Sequence, residues 1–187
     1  MSQVVCPTLQ SILRSEDCLE NVAGLGDYAY CFIKGELASP LARTDNEYTF
    51  PQNAFKAGKG LYKFELKDQS QKITGESLGY RRGFKLTFDF VFESVSKAFA
   101  KTSRALNNLD VCFIVPDGTD WQILYDPTHK VRFDSGGITS DTGAAAADDR
   151  QTTCQAILEP VFFANLYVTP PEGGFEAQLA DDAGSSD

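Results

Sequence analysis

Residues 83–127 read GFKLTFDFVFESVSKAFAKTSRALNNLDVCFIVPDGTDWQILYDP, and the succession of patterns inside them decides the fold. Phe84, Leu86, Phe88, Phe90 and Phe92 alternate with Lys85, Thr87 and Asp89, the period-two pattern of a strand with one face buried. Four of the five inward positions are Phe, so that face needs a thick opposing layer. Over 94–108, Val95, Ala98, Phe99, Thr102, Ala105 and Leu106 recur at helical spacing against Lys97, Lys101 and Arg104, and Leu109 extends the stripe. That predicts a helix laid on a sheet. Two apolar runs follow, 111–115 and 121–125, joined by a turn at Pro116-Asp117-Gly118. Strand, surface helix, strand, turn, strand is scaffolding, and the block holds no nucleophile, base or metal cluster.

Outward from this block, an aromatic and β-branched run at 28–33, bounded by Gly26 and Gly35, predicts a first strand in the centre of a sheet. The run 61–66 alternates with Tyr62, Phe64 and Leu66 inward, and 71–77 is a polar strand with Ile73 inward. Asp68-Gln69-Ser70 is expected to join those two as a hairpin. Residues 79–83 lead into the Phe strand, and 152–158 alternates as the last core strand. The sum is eight or so strands and one helix, a mainly β chain folded as a β-sandwich or barrel with the helix packed on its flank.

The flanks divide into an N-terminal arm, a sandwich domain and an acidic tail. Residues 1–26 form the arm, with Thr8 capping a helical turn that carries Leu9, Ile12 and Leu13. The sandwich domain covers 27–168. The tail, 169–187, holds five acids and no base from Glu172 onward and is expected to fray. Two long connections interrupt the strands. One is 36–60, punctuated by Pro and Gly, with an extended piece over 48–50; the other is 134–150, rich in Ser, Gly, Ala and Asp. Connections of this length are uncommon inside one domain and are usually binding elements. Candidate assembly residues are therefore Tyr48, Phe50 and Phe55 in the first. In the second they are Ser135, Gly136, Gly137, Asp141, Asp148, Asp149 and Arg150. Arg81 and Arg82, beside Tyr80, form the one compact basic patch and are candidates for pairing with an acidic neighbour.

The 187 residues suffice for one core, and 14 Phe and 7 Tyr make folding secure. A net charge of −9 argues against a nucleic-acid surface, which needs clustered Lys and Arg to neutralise phosphates. The N-terminus lacks the basic and apolar regions of a secretory signal, and no apolar run approaches the length of a membrane helix. Folding in a cytoplasm, without a membrane partner, is expected. Cys6, Cys18, Cys31, Cys112 and Cys154 are widely spaced with no CxxC pair, so reduced structural thiols are expected.

Catalytic arrangements fail in turn. Any Ser/His/Asp or Cys/His scheme must use His129, the single histidine, which lies in a turn-like stretch beside Lys130. Gly24-Leu25-Gly26 lacks the remaining residues of a phosphate loop. Asp134, Asp141, Asp148 and Asp149 match no EF-hand spacing. No enzyme activity, cofactor or metal is expected.

A set of weak motifs runs from about residue 6 to 165. It opens with Cys6-Pro7, Leu9, Cys18, Gly24-Leu25 and Tyr30-Cys31-Phe32-Ile33. Phe64-Glu65-Leu66, Ile73-Thr74-Gly75-Glu76-Ser77 and the Phe strand before its helix follow. Asn108-Leu109-Asp110-Val111-Cys112-Phe113-Ile114-Val115-Pro116-Asp117-Gly118, Trp121-Gln122-Ile123-Leu124, the Gly-rich loop and Pro160-Val161-Phe162-Phe163 complete it. This order resembles the tail-tube proteins of bacteriophages, particularly those of phages and prophages of gut Bacteroidetes-type hosts. The resemblance implies a sandwich of tail-tube type that assembles as a ring, usually hexameric. Inner strands would line a lumen, and long loops and termini would stack the rings. It further implies a virion protein of the tail, assembled in the bacterial host cytoplasm. Its partners would be itself, other tail or connector proteins, and DNA that passes without specific binding. The long acidic tail departs from that pattern. Two other classes stay open: a head–tail connector or terminator ring, and a monomeric ligand-binding β-domain or small enzyme.

Overall fold

The computed structural model describes residues 25–93, 95–143 and 150–180. The strands are β1 Tyr28–Ile33, β2 Ala42–Thr44, β3 Glu47–Thr49, β4 Tyr62–Glu65, β5 Lys72–Ser77 and β6 Phe84–Phe92. After the helix α1, Lys97–Asn108, come β7 Val111–Asp117, β8 Asp120–Leu124, β9 Ile138–Asp141, β10 Gln151–Val161 and β11 Tyr167–Thr169. They form a seven-stranded sheet, β2-β3-β11-β8-β7-β1-β4, and a four-stranded sheet, β5-β6-β10-β9. The larger sheet is mixed, because β11 pairs parallel with β3 and antiparallel with β8. Neither sheet closes on itself. The fold is a two-sheet β-sandwich, and the barrel alternative drops out.

The Phe face of β6 supplies the layer between the sheets. Phe88 and Phe90 are fully buried and stack with ring centroids 4.6 Å apart. Phe113 of β7 meets them from the other sheet at 5.5 and 5.4 Å. On the neighbouring strand β10, Cys154 and Ala156 stand opposite Phe90 and Phe88, small against large, as dense packing requires. Val115 is buried in the same layer, and Phe64 is half-buried against Phe92 at 5.5 Å. Ile123 is buried too, but it pairs with Ile114 opposite Tyr30, on the other face of the large sheet, so it does not join the Phe layer.

The helix starts later than the pattern predicts. Ser96 caps it, its Oγ accepting from the Phe99 amide at 3.1 Å, so the helical residues run from Lys97 rather than 94. Phe99 packs on Phe92 at 4.6 Å and Leu106 is buried, which seats the helix at the end of the Phe strand. Leu109 is exposed, because the chain has already turned extended there.

Five expectations are corrected. Residues 68–70 do not join a hairpin: β4 pairs with β1 in one sheet and β5 with β6 in the other. The Leu66 amide still bonds Asp27, the residue before β1 of the first sheet, while the next amide, Lys67, bonds Val91 of the second, so the chain changes sheets between them. Tyr62 accordingly faces outward, and Leu61 and Leu66 carry the burial.

The connection 36–60 is anchored rather than loose. Leu37, Leu41, Tyr48, Phe50 and Ala54 are buried, Phe55 is half-buried, and β2 and β3 extend the large sheet. The segment 134–150 begins with a turn closed by the Gly137 amide on the Asp134 carbonyl at 2.8 Å, then forms β9 along β10. The tail after 169 does not fray through residue 180. Phe175 is buried among Tyr30, Phe50 and Trp121, and Leu179 bridges Leu61 in parallel. Thr8, Leu9, Ile12, Leu13, Cys6 and Cys18 lie outside the described residues, as do Asp148 and Asp149.

Candidate functional site

The edges of the two sheets come first, because edge strands have backbone groups without a neighbouring strand. β2 and β4 end the large sheet, and β5 and β9 end the small one. A strand edge presents unpaired amides and carbonyls and can template another strand. β4 is covered at one end, where the Leu61 amide bonds Gln178 and the Ala180 amide bonds Leu61. This approach needs Gly60, since a Cβ there would sit 2.5 Å from the Ala180 nitrogen. Among the described residues β5 and β9 carry no such cover.

The outward face of the small sheet is polar and charge-paired across strands. Lys72 stands opposite Asp89 and Glu76 opposite Lys85. Gln155 of β10 donates to Asp89 at 2.7 Å. Such cross-strand pairs stabilise the sheet modestly and leave no surplus of positive charge.

The hairpin between β5 and β6 projects the basic patch. Its frame is fixed by the Leu78 amide on the Gly83 carbonyl at 2.9 Å and the Arg82 amide on the Gly79 carbonyl at 3.2 Å. Tyr80 is 85% exposed, and the Arg81 guanidinium lies 5.0 Å from its ring centre. Among the described residues neither Arg81 nor Arg82 meets a carboxylate.

The predicted assembly residues scatter. Tyr48 and Phe50 are core, and burial pushes the Tyr48 hydroxyl up to about 12 against the opposing pull of Arg43. Ser135, Gly136 and Gly137 make the turn before β9. Asp141 ends that strand, its carboxylate accepting from the Gly143 amide at 2.9 Å, and Arg150 reaches the Val95 carbonyl at 3.4 Å. Arg81 and Arg82 are exposed at the hairpin tip. Pattern reading missed the exposed Phe162, which with Phe163 and Tyr48 surrounds the Arg43 guanidinium at 5.2, 5.7 and 5.8 Å. An aromatic pair directly after Pro160 was the available signal.

The former catalytic suspects have structural occupations. One Asp126 oxygen accepts from the Thr128 amide and hydroxyl, the His129 amide and His129 Nδ1 at 2.7 to 3.0 Å, closing a turn. Cys31, Cys112 and Cys154 are free thiols buried in the core; burial raises the thiol pKa values of Cys31 and Cys112 and pushes Cys154 up to about 12. Among the described residues no three His, Cys, Asp or Glu side chains converge as a metal site, and no helix is long and apolar enough to cross a membrane.

Two open clefts are seen among the described residues. One, of about 670 Å³, lies beside the β4 edge between Asp27, Lys63, Glu65 and Glu93. The other, of about 290 Å³, lies where β3, β11 and the β7–β8 turn meet. Comparison of the chain with family models, with curated proteins and with solved structures returns no match.

Proposed function

We propose that the protein is a non-enzymatic, self-assembling virion subunit that forms stacked rings, hexameric in the simplest case, of a phage tail tube conducting DNA. The observation that carries this reading is the small sheet, open on both sides at β5 and β9. Pairing β5 of one copy with β9 of the next continues the sheet from subunit to subunit, and a constant rotation closes it into a ring. The outward face then lines the lumen, with Lys72 standing opposite Asp89 and Lys85 opposite Glu76, and with Asp141 on the β9 edge, so its strand cations are matched by acids. A duplex passing such a wall finds no array of Lys and Arg to replace its counterions, so it is not held. The sequence resemblance supports the same assignment and supplies its finer terms, tail and tube.

Negative-stain microscopy of the purified protein tests it. Tubes support the reading. Isolated rings that never stack move the assignment to a connector or terminator, and featureless monomers at micromolar concentration reject it.

A further inference from the structure

We infer that the β5–β6 hairpin tip of one copy docks into the cleft between β3, β11 and the β7–β8 turn of another copy, as a head-to-tail contact. The inference rests on the self-assembling reading above and adds a contact that edge pairing does not provide.

The donor is built to stay presented. Arg81 has φ +61°, a left-handed conformation uncommon for a residue with a side chain. Gly79 and Gly83 flank it at φ +114° and +84°, and two backbone bonds lock the tip. Backbone strain held in this way at an exposed tip points to use there. What the tip displays is one aromatic ring and two arginines that meet no carboxylate among the described residues, on a chain of net charge −9. Tyr and Arg are the residue types that anchor protein interfaces.

The acceptor has the complementary chemistry. Trp121 and Tyr167 are half-buried in the cleft, and Glu47, Asp120 and the Pro170 ring stand around them. Its lining contains no lysine or arginine. Asp117 and Asp120 act on the Tyr167 hydroxyl and, after burial, help raise its pKa, so the floor lies in a negative field. At about 290 Å³ the cleft has room for a tyrosine side chain and the head of an arginine. Residues of the tip do not line the cleft of their own chain. Donor and acceptor are therefore separate patches, and such a contact propagates from copy to copy instead of closing on a pair. In a ring assembly it stacks rings.

The test uses two full-length double variants, Arg81→Glu/Arg82→Glu and Glu47→Lys/Asp120→Lys, with circular dichroism to establish that each folds. Sedimentation velocity and negative-stain microscopy follow. Each variant alone is expected to stop at single rings and to need at least about tenfold more protein for higher assembly. An equimolar mixture is expected to restore stacking, because each reversed tip then meets a reversed cleft. Tubes from wild type and from both variants alike overturn this contact and leave the ring reading intact. Charge-dependent fibres without rings keep the contact and overturn the ring. A wild-type protein that stays monomeric overturns both. If the cleft variant does not fold, unchanged stacking by the tip variant alone is enough to reject the contact.

Discussion

The Tyr30 hydroxyl donates to Glu176 Oε1 at 2.6 Å, joining residues 146 positions apart. Lys63 donates to the same oxygen at 2.7 Å, and its ammonium lies 4.7 Å from the Tyr28 ring centre. Both donors lower the Glu176 pKa, so this acid is held ionised on the outer face of the large sheet. Next to it Phe175 fills a socket of Tyr30, Phe50 and Trp121. The segment 172–180 is thus a strap that closes the open face of the larger sheet.

Phe175→Ala should therefore destabilise the fold by roughly 3–5 kcal/mol, as for other truncated core aromatics. Urea unfolding followed by tryptophan fluorescence is suited to it, since Trp121 is in ring contact with Phe175 at 4.9 Å. An unchanged midpoint would mean that the strap is not part of the folded unit.

The Asp126 turn gives a pH prediction with a definite sign. Burial alone would raise the carboxyl pKa, but the bonds from Thr128 and His129 outweigh it and the net shift is downward. A carboxylate with a depressed folded pKa contributes stability that is complete above its unfolded value, about 3.9, and lost as pH falls through the folded value. The gap in thermal midpoint between wild type and Asp126→Asn should hold from neutrality down to that range and close below it. A gap that persists unchanged into strong acid would assign the effect to packing.

Local pattern made most strands legible, and long-range partnership stayed hidden. β1, β6 and the β7–β8 hairpin stand where alternation and turn residues place them, because their signals are complete within a few residues. The turn at 68–70 is ambiguous in sequence because a hairpin and a change of sheet use the same short polar turn. Only the separate partners of Leu66 and Lys67 distinguish them. The strap was hidden because acidity dominates its composition. Its one aromatic, Phe175, behind Gly173 and Gly174, was the signal that a buried anchor follows a turn. Of the candidate assembly residues, the exposed Arg81 and Arg82 were readable from charge alone, whereas Tyr48 and Phe50 were drawn into the core by partners far along the chain.

Phe88→Ala probes the central layer. The side chain is fully buried between Phe90 and Phe113, and its loss should cost roughly 3–5 kcal/mol. Chemical denaturation measures it directly. Retained stability would require the Phe face of β6 to serve a partner rather than the core.

Gly75→Ala isolates a close approach between β5 and the segment after β10. In an ordinary strand interior, replacing Gly by Ala lowers the entropy of the unfolded chain and is favourable by about 0.5–1 kcal/mol. Gly75 has no left-handed backbone to preserve, so conformation gives no reason for glycine there. A Cβ at this position would, however, lie 2.0 Å from the Ala164 carbonyl oxygen, and that obstacle is backbone that cannot rotate away. The substitution should therefore reverse sign and destabilise by roughly 1–3 kcal/mol, the usual range for overpacking. Gly35→Ala is the control, since a Cβ there meets nothing within 4 Å. A lowered thermal midpoint for Gly75→Ala beside an unchanged or raised one for Gly35→Ala establishes the contact. Equal midpoints for the two variants would show that 162–166 does not press on β5.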